Sequence, residues 1–156
     1  MTEKEINIKF HEYSSIDELP KQDQELALAA IEAMRGSYAP YSHFNVGAAV
    51  RLSNGEIVKG ANQENAAFPS GLCAERTAMF YAGATYPDKS MVSIAIAGGV
   101  MGRLAKAPAT PCGACRQVLS ELFPKDAPVY LGNLRGDEKI TTVAELLPFA
   151  FDGGDL

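Results

Sequence analysis

Residues 44–61 read FNVGAAVRLSNGEIVKGA. Two apolar runs, 44–52 and 56–61, flank the pair Asn54-Gly55. That pair accepts the positive φ angles of a type I′ turn, so the segment predicts a β-hairpin. C-terminal to it, residues 73–84 are rich in Ala and Met and predict a helix. Residues 91–97 form a mostly apolar run, expected in the middle of a sheet. A loop with Pro108 and Pro111 spans 100–111, followed by a helix over 112–123 and a strand over 127–131. A turn is expected at 133–137, a strand at 139–143 and a short helix at 144–147. On the N-terminal side, Leu26, Ala30, Ala33 and Met34 mark a helical stripe within 20–35, closed by Gly36. Ile6, Ile8 and Phe10 alternate with polar residues and predict a short edge strand. A hairpin followed by alternating helix and strand gives an α/β chain. The expected architecture is a three-layer α/β/α sandwich around a central mixed sheet of about five strands. The whole chain, 1–156, reads as one domain, with residues 1–20 as an N-terminal extension or edge strand.

Composition agrees with this. The chain has 156 residues, 47% hydrophobic and 21% charged, which excludes a disordered chain, a collagen, a coiled coil and a disulfide miniprotein. The net charge of −5 repels a nucleic-acid backbone, so no nucleic-acid partner is expected. Residues 91–102, the longest nearly apolar stretch, are too short to span a bilayer, and 1–15 carry no continuous apolar signal region. The expectation is a cytoplasmic protein without a membrane partner.

Chemistry concentrates in the three cysteines, Cys73, Cys112 and Cys115. Three cannot pair completely, and in a reducing compartment C-x-x-C suggests metal or redox work. Both groups open a predicted helix, where free N–H groups stabilise thiolates. Cys112 and Cys115, three residues apart, share a helix face. If the two helix ends converge, Cys73 adds a third sulfur. Three thiolates suit Zn²⁺, and with no fourth cysteine the site keeps an open position for water, the pattern of a catalytic zinc. Glu75 reaches the same spot only if its helix points end-on at the metal; there it could carry the proton of a zinc-activated water. Arg76 or Arg116 is the candidate cation to offset the thiolate charge.

The pattern C-x-E, 35 residues, P-C-x-x-C resembles the small zinc-dependent cytidine deaminases. So do Tyr41-Ser42-His43-Phe44-Asn45-Val46-Gly47-Ala48-Ala49, Asn62-Gln63-Glu64-Asn65-Ala66, Cys73-Ala74-Glu75-Arg76-Thr77-Ala78 and Pro111-Cys112-Gly113-Ala114-Cys115-Arg116-Gln117-Val118. The match runs from about Tyr38 to the C-terminus. It implies one Zn²⁺ per chain on Cys73, Cys112 and Cys115, with Glu75 as the proton shuttle and Arg76 beside the thiolates. It implies that Asn62 and Glu64 bind the ribose hydroxyls, that Phe44 packs on the pyrimidine, and that Ala74 belongs to the substrate pocket. It further implies a homotetramer in which Phe151 enters a neighbour's pocket. The implied reaction is hydrolysis of cytidine and deoxycytidine to uridine and deoxyuridine with release of ammonia, a step of pyrimidine salvage. Phe68 departs from the resemblance, standing where many relatives carry Tyr, and 98–109 do not follow its pattern.

Other readings remain on the sequence alone. The cysteines could be buried small hydrophobes, a thioredoxin-like redox pair or a closed structural zinc site. The substrate could be another aminopyrimidine nucleoside such as blasticidin S, and a zinc-stabilised binding module would hold metal without turnover. Glu75 alone could be a first-turn acid, Phe44 a core residue and His43 a structural hydrogen-bonding group. A nucleic-acid-editing deaminase would want a basic groove, which a charge of −5 and no Trp oppose.

Overall fold

The hairpin forms as expected, but with different turn chemistry. In this computed structural model, which describes residues 1–132 and 138–156, strands β2 (Phe44–Leu52) and β3 (Ile57–Ala61) pair antiparallel. The Gly55 amide donates to the Leu52 carbonyl at 2.9 Å, and the Leu52 amide to the Glu56 carbonyl at 2.9 Å. Within the connection 53–56, only Gly55 takes positive φ, at 89°. The connection is therefore a three-residue loop closed by a left-handed glycine, and not a two-residue type I′ turn. Asn54 contributes through its side chain instead, its Oδ1 accepting from the Glu56 amide at 3.2 Å.

The remaining elements are β1 (His11–Tyr13), α1 (Lys21–Ala33), α2 (Ala74–Thr85), β4 (Met91–Val100), α3 (Gly113–Leu122), β5 (Pro128–Gly132), β6 (Glu138–Thr142) and α4 (Val143–Leu146). The sheet order is β1-β6-β5-β4-β2-β3, six strands where about five were expected. Only β4 and β5 run parallel, joined across a face by α3; the other neighbours are antiparallel, so the sheet is mixed. The expected N-terminal strand is present and lies on the edge, but shifted to residues 11–13. Ile6, Ile8 and Phe10 lie before it and are half exposed. The reason is the length of the partner. β1 meets β6 in the register His11 with Ile140, and β6 ends at Thr142, the N-cap of α4, so the ladder has little left to offer earlier residues. The expected turn at 133–137 lies outside the described residues.

Helices cover both faces. On one, Leu26, Ala30 and Met34 of α1 and its one-turn extension pack on Ala49, Ala95 and Tyr130. On the other, α2, α3 and α4 bury Ala78, Met79, Leu119, Val143 and Leu146 against Val50, Ile94, Ile96 and Val129. β4 contributes to both clusters, as its unbroken apolar run predicts. Burying a Leu, Ile or Met of this kind stabilises by about 2 kcal/mol. Glycines set the layer spacing at two points. A Cβ on Gly47 would lie 2.0 Å from the Ala30 carbonyl oxygen of α1, and one on Gly60 2.4 Å from the Ala78 nitrogen of α2. Each helix thus touches the strand backbone, one from each side. Among the described residues, no helix is long and apolar enough to cross a membrane.

Candidate metal centre and pocket

Both cysteine groups are delivered by helix starts. Cys73 is the N-cap of α2 and Cys112 the N-cap of α3, each extended (ψ 155° and 169°) and neither using its side chain to cap. Their carbonyls accept the first helical bonds, from Thr77 and Arg116, at 3.0 Å each. The sulfurs are therefore left free to turn toward one another. Cys73 Sγ lies 3.8 Å from Cys112 Sγ, and Cys112 Sγ 3.5 Å from Cys115 Sγ. All three sulfurs fall within 4.8 Å of one another. A tetrahedral ion with Zn–S bonds of about 2.3 Å demands sulfurs about 3.8 Å apart. The observed spacing matches that edge and is far too long for a disulfide. Soft ligands in this geometry fit zinc. Burial grades across the trio, with Cys115 buried, Cys73 half-buried and Cys112 exposed.

The electrostatics are those of a cluster that wants a cation. The Cys73 thiol is held down to about 5, first by the hydrogen bond from Cys115; Arg76 and Cys112 assist while burial opposes. Cys115 is pushed up, because it donates to Cys73, is buried and faces Glu75. Cys73 thus ionises first and Cys115 keeps the proton, which a divalent ion would displace. Arg76 places a guanidinium nitrogen 3.7 Å from Cys73 Sγ, and its Nε is buried without a hydrogen-bond partner among the described residues. Arg116 does otherwise. Its donors go to the Pro111 and Leu146 carbonyls at 2.9 Å each, so of the two candidate cations only Arg76 addresses sulfur.

Glu75, in the first turn of α2, is 4% exposed. Burial raises its pKa above the ordinary carboxylate range, and the nearby Cys73 adds to this. It shares a cavity of about 330 Å³ with Phe44, Asn62, Cys73, Ala74 and Cys112, walled by Val46, Ile96, Ala109 and Thr110. The end-on geometry needed to bring Glu75 and Cys73 to one spot is therefore met. The unmatched stretch 98–109 supplies part of this wall. Its Gly98 lies against Phe44 and Ala109, and its amide groups are tied down by His43 and Asn45. Ala109 and Thr110 escaped the sequence reading, although their adjacency to Pro111-Cys112 was the available signal.

Asn62 and Glu64 line a second, adjoining cavity of about 540 Å³ with Tyr41, Phe68, Cys73 and Arg76. Asn62 Oδ1 accepts from the Val46 amide at 2.8 Å and from the Ser37 hydroxyl, and its Nδ2 donates to the Phe44 carbonyl at 2.9 Å. The Glu64 carboxylate accepts from the Ser42 hydroxyl and from the amides of Tyr41 and Ser42, which lower its pKa. Ser37 and Ser42 were not singled out in the sequence. Phe68, 76% exposed, meets Tyr41 edge-to-face with ring centroids 6.0 Å apart. His43 sits at φ 56°, its amide bonded to the Ala39 carbonyl and its carbonyl to the Met101 amide, so its backbone carries the structural role. Phe151 does not line either cavity; it is exposed, and its carbonyl is held by Gln117 of α3 at 2.9 Å.

Comparison with known proteins agrees with this geometry. Residues 20–131 match the family model described as the cytidine and deoxycytidylate deaminase zinc-binding region. A cytidine deaminase of Halalkalibacterium halodurans is 48% identical over 135 residues, covering 85% of this chain and 96% of that one. One from Sporosarcina psychrophila is 44% identical over 133 residues, covering 85% and 93%. The crystal structure of the Burkholderia pseudomallei cytidine deaminase superposes with a TM-score of 0.74 at 42% identity, covering 81% of this chain and 97% of that one.

Proposed function

The chain belongs to the cytidine and deoxycytidylate deaminase family, and from that premise we propose how its own residues deaminate cytidine. The enzyme hydrolyses the amino group from cytidine and releases ammonia. One zinc, held by Cys73, Cys112 and Cys115, is the cofactor. When bound, zinc supplies the Lewis acidity that makes water a nucleophile at neutral pH. The observation that carries the reading is the shared cavity, where Cys73 and Cys112, two members of a three-sulfur cluster at metal-binding spacing, adjoin a buried carboxyl and an aromatic wall.

Glu75 takes one proton from the attacking water and gives it to ring N3 as the water oxygen bonds C4. It then moves the remaining hydroxyl proton to the amino nitrogen, the C4–N bond breaks and ammonia leaves, because an amide-like nitrogen leaves only when protonated. Its raised pKa suits a group that must both accept and donate. Phe44 packs on the ring, and Ala74, with the wall beside it, excludes bulk water. Asn62 and Glu64 receive the ribose hydroxyls, each already oriented by its own hydrogen bonds. Arg76 steadies Cys73 as a thiolate. Deoxycytidine is a second substrate, and the setting is pyrimidine salvage.

The chain works as one catalytic unit over 1–156, in a homotetramer. Support for assembly comes from Phe151, anchored by its carbonyl and exposed, and from exposed Phe80 and Tyr81 on α2. The cytoplasm is the proposed compartment, since three unpaired cysteines suit a reducing setting.

The test is Glu75→Gln in the zinc-loaded protein. It should keep one zinc per chain and lose ammonia release from cytidine by about 10²–10⁴-fold. Turnover near the wild-type rate would remove Glu75 from the chemistry. Assaying cytidine, deoxycytidine, cytosine and blasticidin S in parallel separates the plain nucleosides from the antibiotic.

A further inference from the structure

We propose that Arg116 is a positioning residue for the metal ligand Cys112, clamping the peptide that precedes it to the end of α4. The proposal rests on the reading that the three cysteines hold zinc.

Pro111 precedes Cys112 and is fully buried. As a proline it offers no N–H to any ladder, so its carbonyl is what can fix this segment. The Arg116 guanidinium, one turn into α3, donates from Nε to that carbonyl at 2.9 Å. A second nitrogen donates to the carbonyl of Leu146 at 2.9 Å. Leu146 is the last residue of α4, and the last carbonyls of a helix lack intrahelical partners. A rigid planar fork on two carbonyls sets their relative position, which a lysine ammonium cannot do. α4 is itself anchored. Its capping box joins Thr142 and Glu145, and the Val143 and Ala144 amides donate to the Ala127 and Lys125 carbonyls. A continuous run of bonds thus leads from the last helix to one sulfur.

The choice of ligand is telling. Cys115 is buried and Cys73 is backed by Arg76, whereas Cys112 is exposed. It is the arm that water and chelators reach first, and so the arm whose backbone restraint governs release of the ion.

The experiment measures zinc capture by an excess of chromogenic chelator from the full-length, zinc-loaded protein, at a temperature well below unfolding. Arg116→Met and Arg116→Lys should each release zinc about tenfold faster, within the range of supporting residues around metal ligands. The Lys variant retains charge and stem, so it serves should the Met variant fail to fold. Arg51→Met is the control. Arg51 also bonds two carbonyls, those of Gln22 and Gly55, but on the α1 side of the sheet. It should lower Tm and leave zinc release unchanged. Thr142→Ala, which uncaps α4, should quicken release in the wild type and add nothing in Arg116→Met. Wild-type release rates in the Arg116 variants, or equal acceleration by Arg51→Met, would overturn the proposal. A wild-type protein that takes up no zinc would instead overturn the metal reading, and the proposal with it.

Discussion

Replacing Gly60 by Ala should damage catalysis more than its size suggests. Gly60 lies in β3 opposite Ala48, facing α2. The added Cβ would sit 2.4 Å from the Ala78 nitrogen and 2.8 Å from both the Ala74 oxygen and the Ala78 Cα. These are backbone atoms and cannot swing aside. Restoring an ordinary contact of 3.4 Å requires α2 to rise by about 1 Å. Overpacking of this kind costs about 1–3 kcal/mol. For a chain of this size that corresponds to a Tm lower by about 2–12 °C. The functional cost is separate. α2 is capped by Cys73 and carries Glu75, so both move together, while Cys112 and Cys115 stay with α3. A displacement near 1 Å at reacting groups costs about 10²-fold in rate. The assay is ammonia release from cytidine at 25 °C, with zinc content and Tm measured on the same sample. Gly47→Ala is the matched comparison. Its clash is closer still, 2.0 Å from the Ala30 oxygen, but it is with α1, which carries no site residue. It should lose stability and keep most of its kcat per folded molecule. If Gly60→Ala retained wild-type kcat and Tm, or if both variants lost kcat alike, the idea that β3 sets the height of the catalytic helix would be wrong.

Cys112→Ala should lose its zinc, because two remaining thiolates hold it poorly, and its Tm should no longer fall on chelator treatment. Full zinc by elemental analysis would remove Cys112 from the ligand set. Phe151→Ala should reduce either the mass in solution or the affinity for cytidine. Unchanged light scattering together with unchanged KM would refute the assembly role of the ring. Glu145 supplies a pH test. Burial alone would raise its carboxyl, but hydrogen bonds from the Lys9 amide and from Thr142 and Thr141 bring it below the ordinary value. A lowered folded pKa contributes stability that is present above the unfolded value of about 4.3 and disappears as pH falls through the folded one. The Tm gap between wild type and Glu145→Gln should therefore shrink between pH 6 and pH 3; a gap independent of pH would contradict the assignment.

Much of this molecule was legible because its signals are local. The helix starting at Cys73, the one starting at Cys112, and the Leu26-Ala30-Met34 stripe each follow from a few neighbouring residues, and the structure places them within a residue or two of expectation. What failed depends on partners distant in sequence. Alternation at Ile6, Ile8 and Phe10 signals an extended segment, but where pairing begins is decided by β6, more than 120 residues later. Asn54-Gly55 marked the turn but could not say whether one or both residues take positive φ. Arg116 beside Cys115 looked like a partner for sulfur; its actual acceptors, Pro111 and Leu146, depend on how α4 docks. The walls formed by Ala109 and Thr110 have no chemical signature in sequence, since small residues become pocket-lining only through position.

The two arms of the metal centre lie 39 residues apart in the chain, at Cys73 and Cys112. An ion joining them would therefore close a ring that contains α2 and the central strand β4, in the manner of a reversible crosslink. By chain-entropy reasoning, tying off a ring of about 40 residues disfavours the unfolded chain by about 4 kcal/mol, if the ion stays bound. The same three sulfurs would then serve as reaction centre and as fastener, so starving the protein of metal would cost it endurance as well as turnover.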